Sequence, residues 1–187
     1  MNTINVSYFE TPYGELIMGS YDSQLCLCDW RYRKRRSAID KRIRQALQAS
    51  FVEKMDATLQ LTMTQLTEYF THRRQTFTVP LLLLGTEFQN RVWQCLLTLP
   101  FGQTITYATL AEKLGNKQAV RAVASANGAN AHSIIVPCHR IIGSDGNLTG
   151  YAGGLSVKAK LLQLESNGMF EFAAGTPDLD HHQHRID

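Results

Sequence analysis

Apolar and polar residues alternate at the start of the chain, with Ile4, Val6 and Tyr8 on one side of a period-two pattern. Thr11-Pro12-Tyr13-Gly14 breaks the pattern as a turn. Leu16 to Ser20 and Leu25 to Trp30 resume it on either side of Tyr21-Asp22-Ser23-Gln24. This spacing predicts a small antiparallel sheet over residues 4 to 30. The period then lengthens, and residues 39 to 52 and 57 to 72 are predicted as helices. In the second, Leu59, Met63, Leu66 and Phe70 fall on one core-facing stripe. Gln75 to Leu84, with Pro80 as a helix breaker, reads as an extended connector. A boundary near residue 85 divides an N-terminal lobe, 1–84, from a C-terminal one, 85–169.

Thr86 with Gln89 three residues on is a capping-box signature. It opens a helix from Glu87 to Leu97 that buries Phe88, Val92, Cys95 and Leu96 and is broken by Pro100-Phe101-Gly102. A helix from Ala108 to Leu114, a turn at Gly115-Asn116 and a helix from Lys117 to Asn127 form a helix, short turn, helix pattern. On the second helix Ala119, Ala122 and Ala126 make a face of methyl groups, flanked by Arg121 and Ser125, beside a core-facing stripe of Val120, Val123 and Ala124. Such a face suits tight helix packing. It equally suits close approach to a nucleic-acid backbone from the minor groove. A helix reading base edges in the major groove would carry Arg, Asn or Gln there instead. The last helix runs from Ser156 to Asn167, with Gly168 as its stop. Val157, Leu161 and Leu164 form its buried stripe. Glu165 lies on that stripe too, as a side chain escaping to water or as the partner of a buried histidine. From residue 170 to 187 a polar tail with Pro177, His181, His182 and His184 is expected to be disordered, without a catalytic role.

Charge changes this picture little. The net charge of +3 permits a polyanionic partner without demanding one. The most basic run, Arg31 to Arg44, reads as a phosphate-contacting patch or, preferably, as a solvated loop and helix start. The four cysteines are Cys26, Cys28, Cys95 and Cys138. Cys26 and Cys28, alternating with Leu25 and Leu27, are expected to face one side; with Cys95 they read as core packing. No zinc-type pair is present, so no metal and no cofactor is expected. No secretory signal or membrane-length apolar run is visible. A soluble protein in a reducing, cytoplasmic compartment follows as the expectation.

Cys138 changes the picture most. Ile134-Ile135-Val136 and Ile141-Ile142, read as buried strand or core segments, bracket Pro137-Cys138-His139-Arg140. A cysteine reacts as its thiolate, and a basic neighbour promotes that form. Consecutive strand residues point to opposite faces, so Cys138 and His139 can cooperate only if Pro137 starts a turn or helical bend. Cys138 as nucleophile, His139 as base and Glu165 as the group orienting the imidazole form a candidate relay.

The Pro-Cys-His-Arg box, followed by Gly150-Tyr151-Ala152-Gly153-Gly154, resembles the O6-alkylguanine-DNA alkyltransferases, closely over about residues 86 to 167 and more loosely before them. The resemblance implies an α+β fold: a ribonuclease H-like N-terminal lobe and a helical C-terminal lobe with a winged helix-turn-helix. It implies a single-turnover transferase that moves the alkyl group of O6-alkylguanine, and of O4-alkylthymine, from double-stranded DNA to Cys138. The basic run is not the main DNA surface in that family. Arg121 would fill the space left by the flipped base. Tyr107 would rotate the phosphate and assist the leaving guanine, and Asn130 would brace the turn before the cysteine. Thr106, Ala119, Ala122 and Ser144 join Tyr107 and Arg121 as the implied DNA contacts. Tyr151, Ala152, Ser133 and Ile141 are the implied pocket. Two residues depart from the pattern: Ala152 stands where some relatives have serine, and Ser133 where some have proline. Both bear on substrate size.

A monomer acting on DNA without sequence preference, and without a membrane, is expected. A redox-sensing DNA-binding regulator would need base-reading side chains on the second helix, which are absent. A cysteine hydrolase would need an oxyanion hole and would leave the helix pair without a purpose.

Overall fold

The computed structural model describes residues 1–166. The proposed tail, its histidines and the stop at Gly168 lie outside the described residues. Strands β1 (Asn2–Thr11), β2 (Gly14–Tyr21) and β3 (Gln24–Trp30) form an antiparallel meander. The first hairpin closes on Thr11, whose hydroxyl donates to the Gly14 carbonyl at 2.7 Å and accepts from the Tyr13 amide at 3.0 Å. The second turns through Asp22 and Ser23, both left-handed (φ 50° and 61°), the backbone that a two-residue hairpin favours.

Helix α1 (Arg36–Leu47) is shorter than the sequence pattern suggests. Gln48 adopts φ 47° and ends it. Residues 49–52, read from the sequence as the end of a helix, instead belong to β4 (Ala49–Glu53), which pairs parallel with β1 and completes a sheet of order β3-β2-β1-β4. Ala-Ser-Phe-Val-Glu gains a ladder partner in the chain start that no local pattern announces.

Helix α1 covers one face of this sheet through Ile39 and Ile43, against Ile4, Val6, Ile17 and Leu27. Helix α2 (Ala57–Phe70) covers the other face. Its Leu59, Leu66 and Tyr69 join Leu16, Met18, Leu25, Cys28 and Trp30 in a core that also receives Ile134, Ile135, Leu161 and Leu164 from the C-terminal half. The two halves therefore share one core. Cys26 and Cys28 do not face the same side as the alternation suggests. A bulge between Gly19 and Ser20 inserts a residue in β3, and the two thiols enter different core clusters.

The connector runs along β3, the Leu25 amide donating to the Pro80 carbonyl at 2.8 Å and the Leu82 amide to the Leu25 carbonyl at 2.9 Å. Helix α3 (Glu87–Leu96) begins with the full reciprocal Thr86/Gln89 capping box. It buries Val92, Leu96 and also Trp93, whose indole donates to the Ala126 carbonyl at 2.8 Å. Strand β5 (Ile105–Thr106) leads into α4 (Tyr107–Lys113), capped by the Thr106 hydroxyl. The chain then turns at Gly115 into a 3-10 turn (Lys117–Ala119) and α5 (Val120–Gly128). A second 3-10 turn (Cys138–Arg140), β6 (Ile141–Ile142), paired parallel with β5, and α6 (Leu155–Glu165) complete the lobe. On α5, Ala126 is 2% exposed and belongs to the core with Val123. Ala124, expected in the core, faces outward beside Arg121, Ala122 and Ser125. The exposed face is small-residued but lies about one position round from the expected one.

Candidate active site

Ile134-Ile135-Val136, read from the sequence as a buried strand or core segment, lies in the core as part of a buried turn over residues 130–137. A continuous apolar run does not distinguish the two. Asn130 organises the turn: its Nδ2 donates to the Val136 carbonyl and its Oδ1 accepts from the His132 amide, both at 2.9 Å. Ile134 sits at φ 73°, a conformation that costs a β-branched residue about 1–3 kcal/mol and persists only where packing enforces it. Ile134 is 1% exposed in the shared core, which supplies that enforcement.

The turn delivers Pro137 into a 3-10 turn that carries Cys138, His139 and Arg140. This is the bend required for adjacent residues to serve one site. Cys138 and His139 are both buried. His139 Nε2 lies 2.7 Å from Glu165 Oε1, so of the two readings of Glu165 the geometry selects the histidine partner. The carboxylate also accepts from Tyr69 Oη (2.8 Å), Arg140 Nε and Nη2 (2.8 and 2.9 Å) and the Gly102 amide (3.4 Å). Burial alone would raise its pKa, but His139 and Arg140 hold it well below the usual carboxylate range. An ionised carboxylate only accepts, so Nε2 carries the imidazole proton and Nδ1 keeps a lone pair. Nδ1 is buried and has no protein partner among the described residues.

Burial lowers the His139 pKa, leaving the ring neutral at pH 7. Burial raises that of the Cys138 thiol, against the lowering influence of the Asn130 side chain and the Lys158 charge. Lys158, 0% exposed, is a member of the site that the sequence reading missed. Its Nζ donates to the carbonyls of Ile141, Thr149 and Gly150 at 2.5, 2.8 and 3.3 Å, and burial depresses its pKa to about 8. The signal available was the one that marked Glu165, a charge seven positions away on the same apolar stripe.

Tyr107, half-buried, donates to the Thr149 carbonyl at 3.2 Å and lies within electrostatic reach of Cys138; burial raises its pKa and keeps the phenol protonated. Tyr151 meets His139 edge-on, with ring centroids 6.4 Å apart. Ser133 is fully buried, its hydroxyl donating to Asp29 at 2.8 Å. Ala152 is half-buried, and Ile141 lies in the core beside Cys138 with no exposed surface. Arg121, Ala122 and Ser144 are exposed, while Thr106 and Ala119 are partly covered.

The basic run is not simply solvated, since Arg33, Arg36 and Arg42 are engaged within the protein. Arg33 and Arg36 both pair with the fully buried Asp29 at 2.9 Å. Arg33 also donates to the carbonyls of Gly128 (2.7 Å) and Asn130 (3.2 Å), and Arg42 to that of Ala129 (3.0 Å). These arginines satisfy the carbonyls that α5 and the following loop leave unpaired. Lys34, Arg35, Lys41 and Arg44 remain exposed.

A buried thiol, an oriented neutral imidazole and an ionised carboxylate, beside a helix pair with a small-residued outer face, have the composition of a cysteine-dependent active site. Residues 4–83 match the 6-O-methylguanine DNA methyltransferase, ribonuclease-like domain, and residues 87–167 the 6-O-methylguanine DNA methyltransferase, DNA binding domain; the chain belongs to this family. It is 51% identical over 105 residues to a methylated-DNA--protein-cysteine methyltransferase of Mycobacterium leprae, covering 56% of this chain and 64% of that protein. A protein of the same description from Methanosarcina acetivorans is 38% identical over 159 residues, covering 85% of this chain and 96% of its own. The crystal structure of Mycobacterium tuberculosis O6-methylguanine methyltransferase superposes with TM-score 0.75 at 35% identity, covering 88% of this chain and 93% of that one. A second structure, of Mycobacterium tuberculosis OGT in complex with DNA, gives 0.74 at 35% identity, covering 89% and 94%.

Proposed function

We propose that this protein repairs DNA by direct reversal, transferring the alkyl group of O6-alkylguanine, and of O4-alkylthymine, to Cys138 in a single irreversible turnover. The observation that carries the reading is Cys138 on a buried 3-10 turn, next to an imidazole whose Nε2 is fixed by Glu165 and whose Nδ1 is left basic.

His139 Nδ1, which has no protein partner among the described residues, takes the thiol proton through a water as the sulfur closes on the alkyl carbon. The carbon–sulfur bond forms as the bond from carbon to O6 breaks, and its electron pair stays with the guanine oxygen. The ring then takes up a proton with help from Tyr107, whose raised pKa keeps it a donor. Overall the alkyl group ends on sulfur and the thiol proton on guanine. The thioether has no leaving group to restore the thiol, so each chain acts once. Glu165 stabilises the transient imidazolium, and Lys158 favours negative charge on sulfur while its three carbonyl bonds anchor the loop bearing Tyr151.

A base inside duplex DNA must be rotated out to reach a buried thiol. Arg121 fills the vacated stack, and Ala119 and Ala122 allow close approach through the minor groove without reading sequence. Thr106 and Ser144 contact the backbone, Asn130 braces the turn, and Ser133, Tyr151, Ala152 and Ile141 enclose the base. The protein acts as a monomer. Among the described residues no helix is long and apolar enough to cross a membrane, and no group of three His, Cys, Asp or Glu side chains could hold a metal ion.

Intact mass after incubation with duplex DNA containing O6-methylguanine tests the reading. The expected result is one methyl per protein, on Cys138 and absent from Cys138→Ala. Methylguanine consumed in excess of protein, or no mass gain with DNA binding retained, would reject it.

A further inference from the structure

We propose that Trp30, on strand β3 of the N-terminal lobe, is a specificity-determining residue that limits the size of the alkyl group the Cys138 site accepts. The inference rests on the alkyl-transfer reading and adds to it a limit on substrate bulk.

Trp30 is 4% exposed and faces the C-terminal lobe. Its indole Nε1 donates to the Tyr151 hydroxyl at 3.0 Å, and the two rings meet edge to face with centroids 6.3 Å apart. Tyr151 also touches His139 edge-on, and Cys138 is among the charges that influence its phenol. Tyr151 therefore bridges the N-terminal indole and the reacting pair. The loop backbone is held as closely. A Cβ built on Gly153 would lie 2.8–2.9 Å from Nε1, Cδ1 and Cε2 of the same indole, so this position admits no side chain while Trp30 stays in place.

The preceding residue repeats the arrangement. Asp29 Oδ1 accepts from the Trp30 amide at 2.9 Å and from the Ser133 hydroxyl at 2.8 Å, and the Ser133 side chain lies close enough to the Tyr151 phenol to influence its pKa. Two candidate pocket residues from separate segments of the C-terminal lobe are thus tied to consecutive residues of one N-terminal strand. Arg33 and Arg36 fix Asp29 from behind.

A pocket discriminates by bulk only as far as its wall resists displacement. A wall with its polar tip hydrogen-bonded and its back close-packed resists well. A methyl group asks nothing of Tyr151. A benzyl group must move the ring or the loop, and both abut the indole.

The test compares transfer rate constants for one duplex carrying O6-methylguanine or O6-benzylguanine, with the unmodified protein, Trp30→Phe and Trp30→Leu. Phenylalanine keeps a ring and loses the donor; leucine loses both. The benzyl-to-methyl rate ratio is expected to rise from the unmodified protein through Trp30→Phe to Trp30→Leu, by about tenfold in the last. Thermal unfolding is followed in parallel, because a merely structural role would lower the melting temperature and both rates together at constant ratio. An unchanged or falling ratio in the variants overturns the inference. Should Trp30→Leu fail to fold, Trp30→Phe decides, with a rise of about threefold expected. Absence of methyl transfer by the unmodified protein rejects the alkyl-transfer reading and this inference with it, whereas methyl transfer at constant ratio rejects the inference alone.

Discussion

Glu165 gathers donors from both lobes, and Tyr69 is the one that crosses from helix α2, 96 positions earlier in the chain. Its phenol shares the carboxylate charge with His139 and Arg140. Tyr69→Phe removes one bond but leaves Glu165 paired, so a stability loss of about 1 kcal/mol is expected. The freed charge would then bind the imidazolium more strongly and raise the His139 pKa. The acid limb of the transfer rate against pH should therefore move to higher pH than in the unmodified protein, which single-turnover kinetics across pH 5–8 would read. A purely structural role for Tyr69 would lower the melting temperature and leave the limb where it was. Glu165 was legible because a carboxylate interrupts an apolar stripe. Tyr69 was not, since the periodic stripe of its helix selects Phe70, and a long-range pairing leaves no local mark.

Helix α5 has one buried and one exposed surface. Ala126 and Val123 anchor it in the core, Arg33 and Arg42 hold the carbonyls at its C-terminal end, and Arg121 projects from the exposed side. Arg121→Ala should lower the ratio of transfer from duplex DNA to transfer from the free alkylated base by about tenfold or more, because only the duplex requires a base to be unstacked. Equal loss on both substrates would place Arg121 outside DNA recognition. The helices α2 to α6 were legible from periodicity and breakers, to within a few residues at their ends. The elements that the local pattern does not specify share a cause. Strand β4 depends on its partner β1, and the 134–136 turn depends on hydrogen bonds from Asn130. The one-position error on the α5 face has a second origin: a 3-10 turn precedes the helix and rotates its register relative to a continuous helix.

At the scale of the whole molecule, His132 links the lobes. Its Nε2 lies 2.8 Å from the Leu25 carbonyl, and burial lowers its pKa to about 4. Unfolded, it titrates near the ordinary 6.5. The unfolded chain therefore binds this proton first as pH falls, so the contribution is complete above pH 6.5 and disappears as pH drops through about 4. The loss from His132 amounts to about 3 kcal/mol, to which neutral His139 adds in the same direction. His132→Gln, which retains a donor without titrating, should flatten the decline in melting temperature between pH 6.5 and 4; an identical decline would remove His132 as its source. The two-lobe plan was legible in the sequence, but the depth of the shared core was not, because the arginines that join the halves read as an ordinary charged run. The connector and the site turn also pair with β3, the latter through the Cys28 amide and the Ala131 carbonyl at 2.8 Å. By strand order β3 is an edge, yet both lobes cover it. Unpaired edges recruit strands from other molecules. The turn that carries Cys138 therefore also caps this strand edge, and a substitution that melts the turn is expected to expose the edge and promote self-association.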